Sequence, residues 1–102
     1  MSGFSAEWLA LREPVDAASR HAELTARLID WRQTLGHLSV LDLGSGTGAN
    51  CRFLAPLLGG EQHWRLVDHD PALLTQNAVF NPCQVERHCL DLTGDWDRLD
   101  FR

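Results

Sequence analysis

Lysine is absent from this chain; all nine of its basic residues are arginine. A Schiff-base lysine and the phosphate-binding lysine of a P-loop are therefore excluded within these 102 residues. Basic charge is scarce too. Fourteen acids leave a net charge of −5, which argues against a nucleic-acid-binding surface in this segment. Cysteine is limited to Cys51, Cys83 and Cys89, an odd number that does not make a disulfide framework. Cys83, Cys89, His63, His69 and His88 do not fall into close pairs at zinc spacing, so no metal site is expected. No apolar run approaches the ~20 residues of a membrane span. The opening residues lack the basic and apolar regions of a secretory leader. A cytoplasmic setting, with no membrane partner, is the expectation.

What is present is ordinary for a globular protein: 44% hydrophobic and 23% charged residues. The length allows one small domain with a modest core. Residues 1–36 read as a helical segment. Phe4 to Leu11 is a short amphipathic piece, and Pro14 suits a first helical position. A helix to about Gln33 should follow, with Leu24, Leu28, Trp31 and Leu35 on one apolar face and Gly36 as a C-cap.

Residues 37–102 alternate between strand and helix patterns. Leu38 to Leu43 reads as a buried strand, Ala49 to Leu58 as a helix and His63 to Val67 as a second strand. That helix should bury Ala49, Phe53, Leu54 and Leu57, with Pro56 distorting its last turn. Asp70-Pro71 opens a helix that runs to Phe80 and stops at Asn81-Pro82. Gln84 to Cys89 is a more polar third strand, and the run Asp95, Asp97, Asp100 reads as a solvated face. This alternation implies an α/β fold with a parallel sheet. The apolar first strand is expected at the centre and the polar third at an edge.

The chemistry concentrates in Asp42-Leu43-Gly44-Ser45-Gly46-Thr47-Gly48. A strand running into three alternating glycines and then a helix makes a shelf where a ligand can touch the main chain. Asp42 ends the first strand, Asp68 the second, and Asp91 follows the third. Three carboxylates on one rim repel a pyrophosphate and attract a cation. An acid at the end of a second strand is also placed to hold a ribose diol. Together these features point to a cationic nucleoside.

The same residues resemble a known family. Asp42 to Gly48 is similar to motif I of class I S-adenosylmethionine-dependent methyltransferases, Val67-Asp68-His69-Asp70 to motif II, and Cys89-Leu90-Asp91-Leu92 to the next cofactor motif. The resemblance covers about residues 38 to 92. It implies a partial Rossmann-like parallel sheet in the order 3-2-1 and S-adenosyl-L-methionine as cofactor. Gly44, Ser45, Gly46 and Gly48 would hold its methionine part. Asp42 would orient the loop and the amino group. Asp68 would take the ribose hydroxyls, with His69 beside the adenine or ribose. Asp91 would accept from the adenine amino group, near the Leu92 amide. The family's sheet has seven strands and only three are found here, so no catalytic residue is assigned and the methyl acceptor stays open.

Two other readings remain. Gly44, Gly46 and Ala49 also satisfy the G-x-G-x-x-A fingerprint of nicotinamide and flavin oxidoreductases, though Asp42 sits poorly beside a pyrophosphate. A non-catalytic nucleoside-binding module is the other. The chain stops where a fourth strand is expected, which suggests a front half cut before that strand. Such a fragment is expected to be inactive alone and to self-associate through an open sheet edge.

Overall fold

The computed structural model describes residues 5–75 and 84–98. It is an α/β arrangement in which two helices, α1 (Ala6–Ala18) and α2 (Ala22–Arg32), precede an alternating run. That run is β1 (His37–Leu43), α3 (Ala49–Leu58), β2 (Glu61–Asp68), α4 (Pro71–Thr75) and β3 (Gln84–Cys89). A 3₁₀ turn, Trp96–Arg98, follows. The continuation to Phe80, the stop at Asn81-Pro82, Cys83, Phe4, Asp100 and the last residues lie outside the described residues.

The three strands form a parallel sheet in the order β1-β2-β3. The middle strand is β2, and β1 stands at an edge among the described residues. Composition alone put the apolar first strand at the centre; the order 3-2-1, taken over three strands, puts it at this edge. Burial follows the pairing: five consecutive residues of β2, Trp64 to Asp68, are buried, whereas β1 is buried only at Leu38 and Asp42. Apolar composition marked β1, but hydrogen-bonded neighbours on both sides are what bury a strand.

The core lies between β2 and α3. Cys51, Ala55, Trp64, Leu66 and Leu74 are buried together, with Val40, Leu54 and Val85 packed against them. Burying Trp64 and Leu66 contributes on the order of 1.5–3 kcal/mol each. Gln62 is also fully buried because its polar atoms are matched. Its Nε2 donates to the Ala55 and Gly59 carbonyls at 2.9 Å, and its Oε1 accepts from Trp64 Nε1 at 2.7 Å. The buried face of α3 is therefore Cys51, Ala55 and Leu58, not the expected stripe; Leu57 is 45% exposed.

The helical segment also differs from expectation. Ser5 caps α1 by accepting from the Trp8 amide, and Pro14 lies inside the helix instead of starting one. The break comes at Ser19 to His21, where His21 Nδ1 accepts from the Leu24 amide and starts α2. Gln33, not Gly36, is its C-cap. Leu24 and Trp31 face solvent. Arg32 fixes α2 instead, donating to the carbonyls of Leu35, Gly59 and Glu61 at 2.8, 3.2 and 2.9 Å. A Cβ on Gly60 would meet Arg32 Nη2 at 2.5 Å, so this turn must stay bare.

Candidate functional site

Parallel register aligns the carboxyl ends of β1 and β2: Leu43 pairs with Val67, and Asp68 stands one residue further on the rim. The chain leaves β1 through three glycines with positive φ, +71° at Gly44, +57° at Gly46 and +91° at Gly48. Only glycine adopts such a series without strain. The Val67 carbonyl accepts from the amides of Gly44 and Ser45 at 2.8 and 2.9 Å. Gly48 donates to the Ser45 carbonyl at 3.0 Å. The Gly46 amide donates to Asp68 Oδ2 at 2.9 Å, and the Asp70 amide to Asp68 Oδ1 at 2.9 Å. Asp68 is thus the brace of the glycine loop, a role the sequence suggested for Asp42.

Asp42 is buried behind that loop. Its Oδ1 accepts from Asn50 Nδ2 at 3.3 Å, while Oδ2 is enclosed without a hydrogen-bond partner, as is Ser45 Oγ. Burial pushes the Asp42 pKa up, against the opposing pull of Asn50 and Arg20, and repulsion from Asp68 adds to the rise.

Arg52 ties the loop to the first helix. It donates to Thr47 O at 2.6 Å and to Thr47 Oγ1 at 3.0 Å, and forms a two-pronged pair with Glu13 at 2.6 and 2.7 Å. The pair holds the Glu13 carboxyl below its ordinary pKa. This brings α1 over the loop, with Leu9 Cδ1 3.5 Å from where a Gly46 Cβ would stand.

A cleft of about 400 Å³ opens between α1 and the loop, within the range of small-molecule pockets. Gly44, Ser45, Gly46, Asp68 and His69, all expected site residues, line it. Gly48 and Asp42 stand behind the lining. Asp91 and Leu92 do not join it. Asp91 is exposed on the turn after β3, where Oδ1 accepts from the Thr93 amide and hydroxyl at 2.9 and 2.7 Å, holding its pKa down. Leu92 is half-buried on the same turn.

Leu9, Glu13, Asp16, Thr47, Ala49 and Leu73 complete the lining and were missed in the sequence. The signal was there for three of them, since residues 9, 13 and 16 share one helical face. No arginine lines the cleft. Glu13 and Asp16 are matched by Arg52 and Arg12, which leaves Asp68 as the lining carboxylate without an arginine partner.

Elsewhere, Glu86 contacts both His63 and His88 on the sheet. Among the described residues no group of three or more His, Cys, Asp and Glu side chains is arranged to hold a metal ion. No described helix is long and apolar enough to cross a membrane. Comparison with protein-family models, with curated proteins and with solved structures finds no match.

Proposed function

We propose that this chain is the cofactor-binding part of an S-adenosylmethionine-dependent methyltransferase. One observation carries the reading. The amides of Gly44, Ser45, Gly46 and Gly48 all donate to protein oxygens, and Gly46 donates to a carboxylate. A dinucleotide pyrophosphate is held by loop amides and a helix N-terminus. Here those four loop amides are committed, and Asp42 reaches the first turn of α3 through Asn50. A sulfonium or ammonium fits beside Asp68, with Asp42 behind the loop; a pyrophosphate is repelled.

Bound there, S-adenosylmethionine supplies an electrophilic methyl group to an acceptor whose class stays open. The residues of this chain bind and orient. The glycine loop lets the ligand approach the main chain, and Asp68 keeps lone pairs for a ribose diol after accepting its two amides. His69 is largely exposed at the mouth, and Leu9 and Leu73 form apolar walls. The sheet order, read as β3-β2-β1, supports a match to the front of the methyltransferase sheet. Orientation of this kind is the main protein contribution to methyl transfer.

Titration calorimetry with S-adenosylmethionine, S-adenosylhomocysteine and NADH tests the proposal. Binding of the first two at one shared site, with no heat from NADH, is expected. Binding of NADH alone would replace the reading with the oxidoreductase one.

A further inference from the structure

The glycine-loop cleft is lined unevenly. On the side of α1 and the loop it carries Glu13, Asp16, Ser45 and Thr47. Beyond Asp68, on the side of β2 and α4, it carries His69 and Leu73. Leu73 is buried and its side chain holds no polar atom. Among the described lining residues, His69 is therefore the one polar side chain beyond the carboxylate that would take a ribose.

The acid after β3 is spent on its own turn. Asp91 Oδ1 accepts from the amide and the hydroxyl of Thr93 at 2.9 and 2.7 Å. The Asp91 amide donates to Asp95 Oδ2 at 2.8 Å, and the Asp91 carbonyl accepts from the amides of Gly94 and Asp95 at 3.0 and 2.8 Å. The Leu90 amide donates to the Asp68 carbonyl at 3.0 Å and pins the start of this turn to the rim. Carrying the Asp91 carboxylate into the cleft would break both Thr93 bonds in return for one to a ligand, a losing exchange. His69 sets no fixed pattern in its place. Its Nδ1 lies 3.6 Å from Asp68 Oδ1, beyond hydrogen-bond length, so that contact does not fix which ring nitrogen carries the proton. A neutral imidazole offers a donor at one nitrogen and an acceptor at the other.

We propose that the cleft selects its nucleoside by the ribose and the tail and not by the exocyclic group of the purine, so that adenine and hypoxanthine nucleosides are accepted alike. The inference rests on the nucleoside reading above. The amino group of adenine is a donor and the oxo group of hypoxanthine an acceptor. A site with a fixed polar group at that position rejects the base it does not match, because its own buried group is left unpaired. Here Leu73 packs on the face of either base, His69 matches either edge, and Asp68 takes a ribose that both nucleosides share.

S-adenosylhomocysteine and S-inosylhomocysteine isolate the base edge, because they share the ribose and the whole tail. Calorimetry on the wild-type protein is expected to give affinities within about fivefold of each other. A larger preference for either form overturns the proposal without any variant, while leaving the nucleoside reading intact. Asp91→Ala should change neither affinity. A selective loss of the adenosyl form in that variant would show that Asp91 leaves its turn to read the base, and this also overturns the proposal. Asp68→Ala should weaken both forms and keep their ratio. Failure of both forms to bind the wild type sinks the nucleoside reading and the base inference with it.

Discussion

The Gly46 amide and Asp68 Oδ2 meet at 2.9 Å across the gap between the first glycine turn and the end of β2. The other Asp68 oxygen holds the Asp70 amide, so one carboxylate fixes two segments of the rim. Asp68→Ala leaves both amides without this acceptor. A loss of about 1–3 kcal/mol is expected in urea denaturation. Affinity for S-adenosylhomocysteine should fall at least about tenfold in calorimetry. An unchanged midpoint and an unchanged affinity together would remove Asp68 from both roles.

Gly46→Val should destabilise the loop by its backbone conformation. At φ +57° an L-residue is strained by about 1–2 kcal/mol, more for a branched side chain. The new Cβ alone meets Leu9 Cδ1 at an ordinary contact distance of 3.5 Å. Gly36→Ala is the control, since it has no positive φ and open space around it. Its stability should stay within about 0.5 kcal/mol of wild type or rise slightly. Equal effects of the two substitutions would contradict the strain argument.

Glu13→Gln should loosen α1 selectively. It removes the charge that Arg52 grips but leaves the Arg52 bonds to Thr47. A two-pronged, partly buried pair contributes about 1 kcal/mol. Faster amide exchange is expected in Ala6–Ala18, with β2 unaffected. The folded-state pKa of Glu13 is depressed, so its contribution is present above the ordinary glutamate range and is lost as pH falls through the depressed value. Acid titration of wild type should therefore release α1 at a pH where the variant shows no such step.

Asp42→Asn is expected to raise the thermal midpoint while weakening binding of S-adenosylmethionine. The carboxylate is buried with one oxygen unpartnered, and its folded-state pKa is raised. The native state holds this proton more tightly than the unfolded chain. Wild-type stability therefore declines as pH rises from the ordinary aspartate range through the raised pKa, and the variant lacks that decline. A lower midpoint for Asp42→Asn at neutral pH would show that the charge is compensated in the fold.

Local signals were legible in the sequence, and distant ones were not. The helix Ala49–Leu58 and the strand Gln84–Cys89 fall where periodicity and turn residues put them. The glycine loop and Asp68 also meet in one cleft, because a parallel register brings two strand ends together. The buried side of α3 was misread because apolarity alone does not choose between faces; contact with Trp64 and Gln62 on β2 does. The break at Ser19 to His21 was hidden because histidine is an uncommon cap. Glu13 and Asp16 escaped because Arg52, the partner that draws α1 over the loop, lies 39 residues from Glu13.

The first helix buries none of its residues, yet Leu9, Glu13 and Asp16 form one wall of the cleft. Occupancy and helix attachment are then linked equilibria. Whatever ligand touches these three side chains adds its contact energy to the hold on α1. By reciprocity, a change that detaches α1 weakens that ligand by the same factor. At about a hundred times Kd, a ligand that binds only with α1 attached adds about 2.7 kcal/mol to that state. That exceeds the contribution of the Glu13–Arg52 pair, so the resting population of α1 on the body reports how full the cleft is.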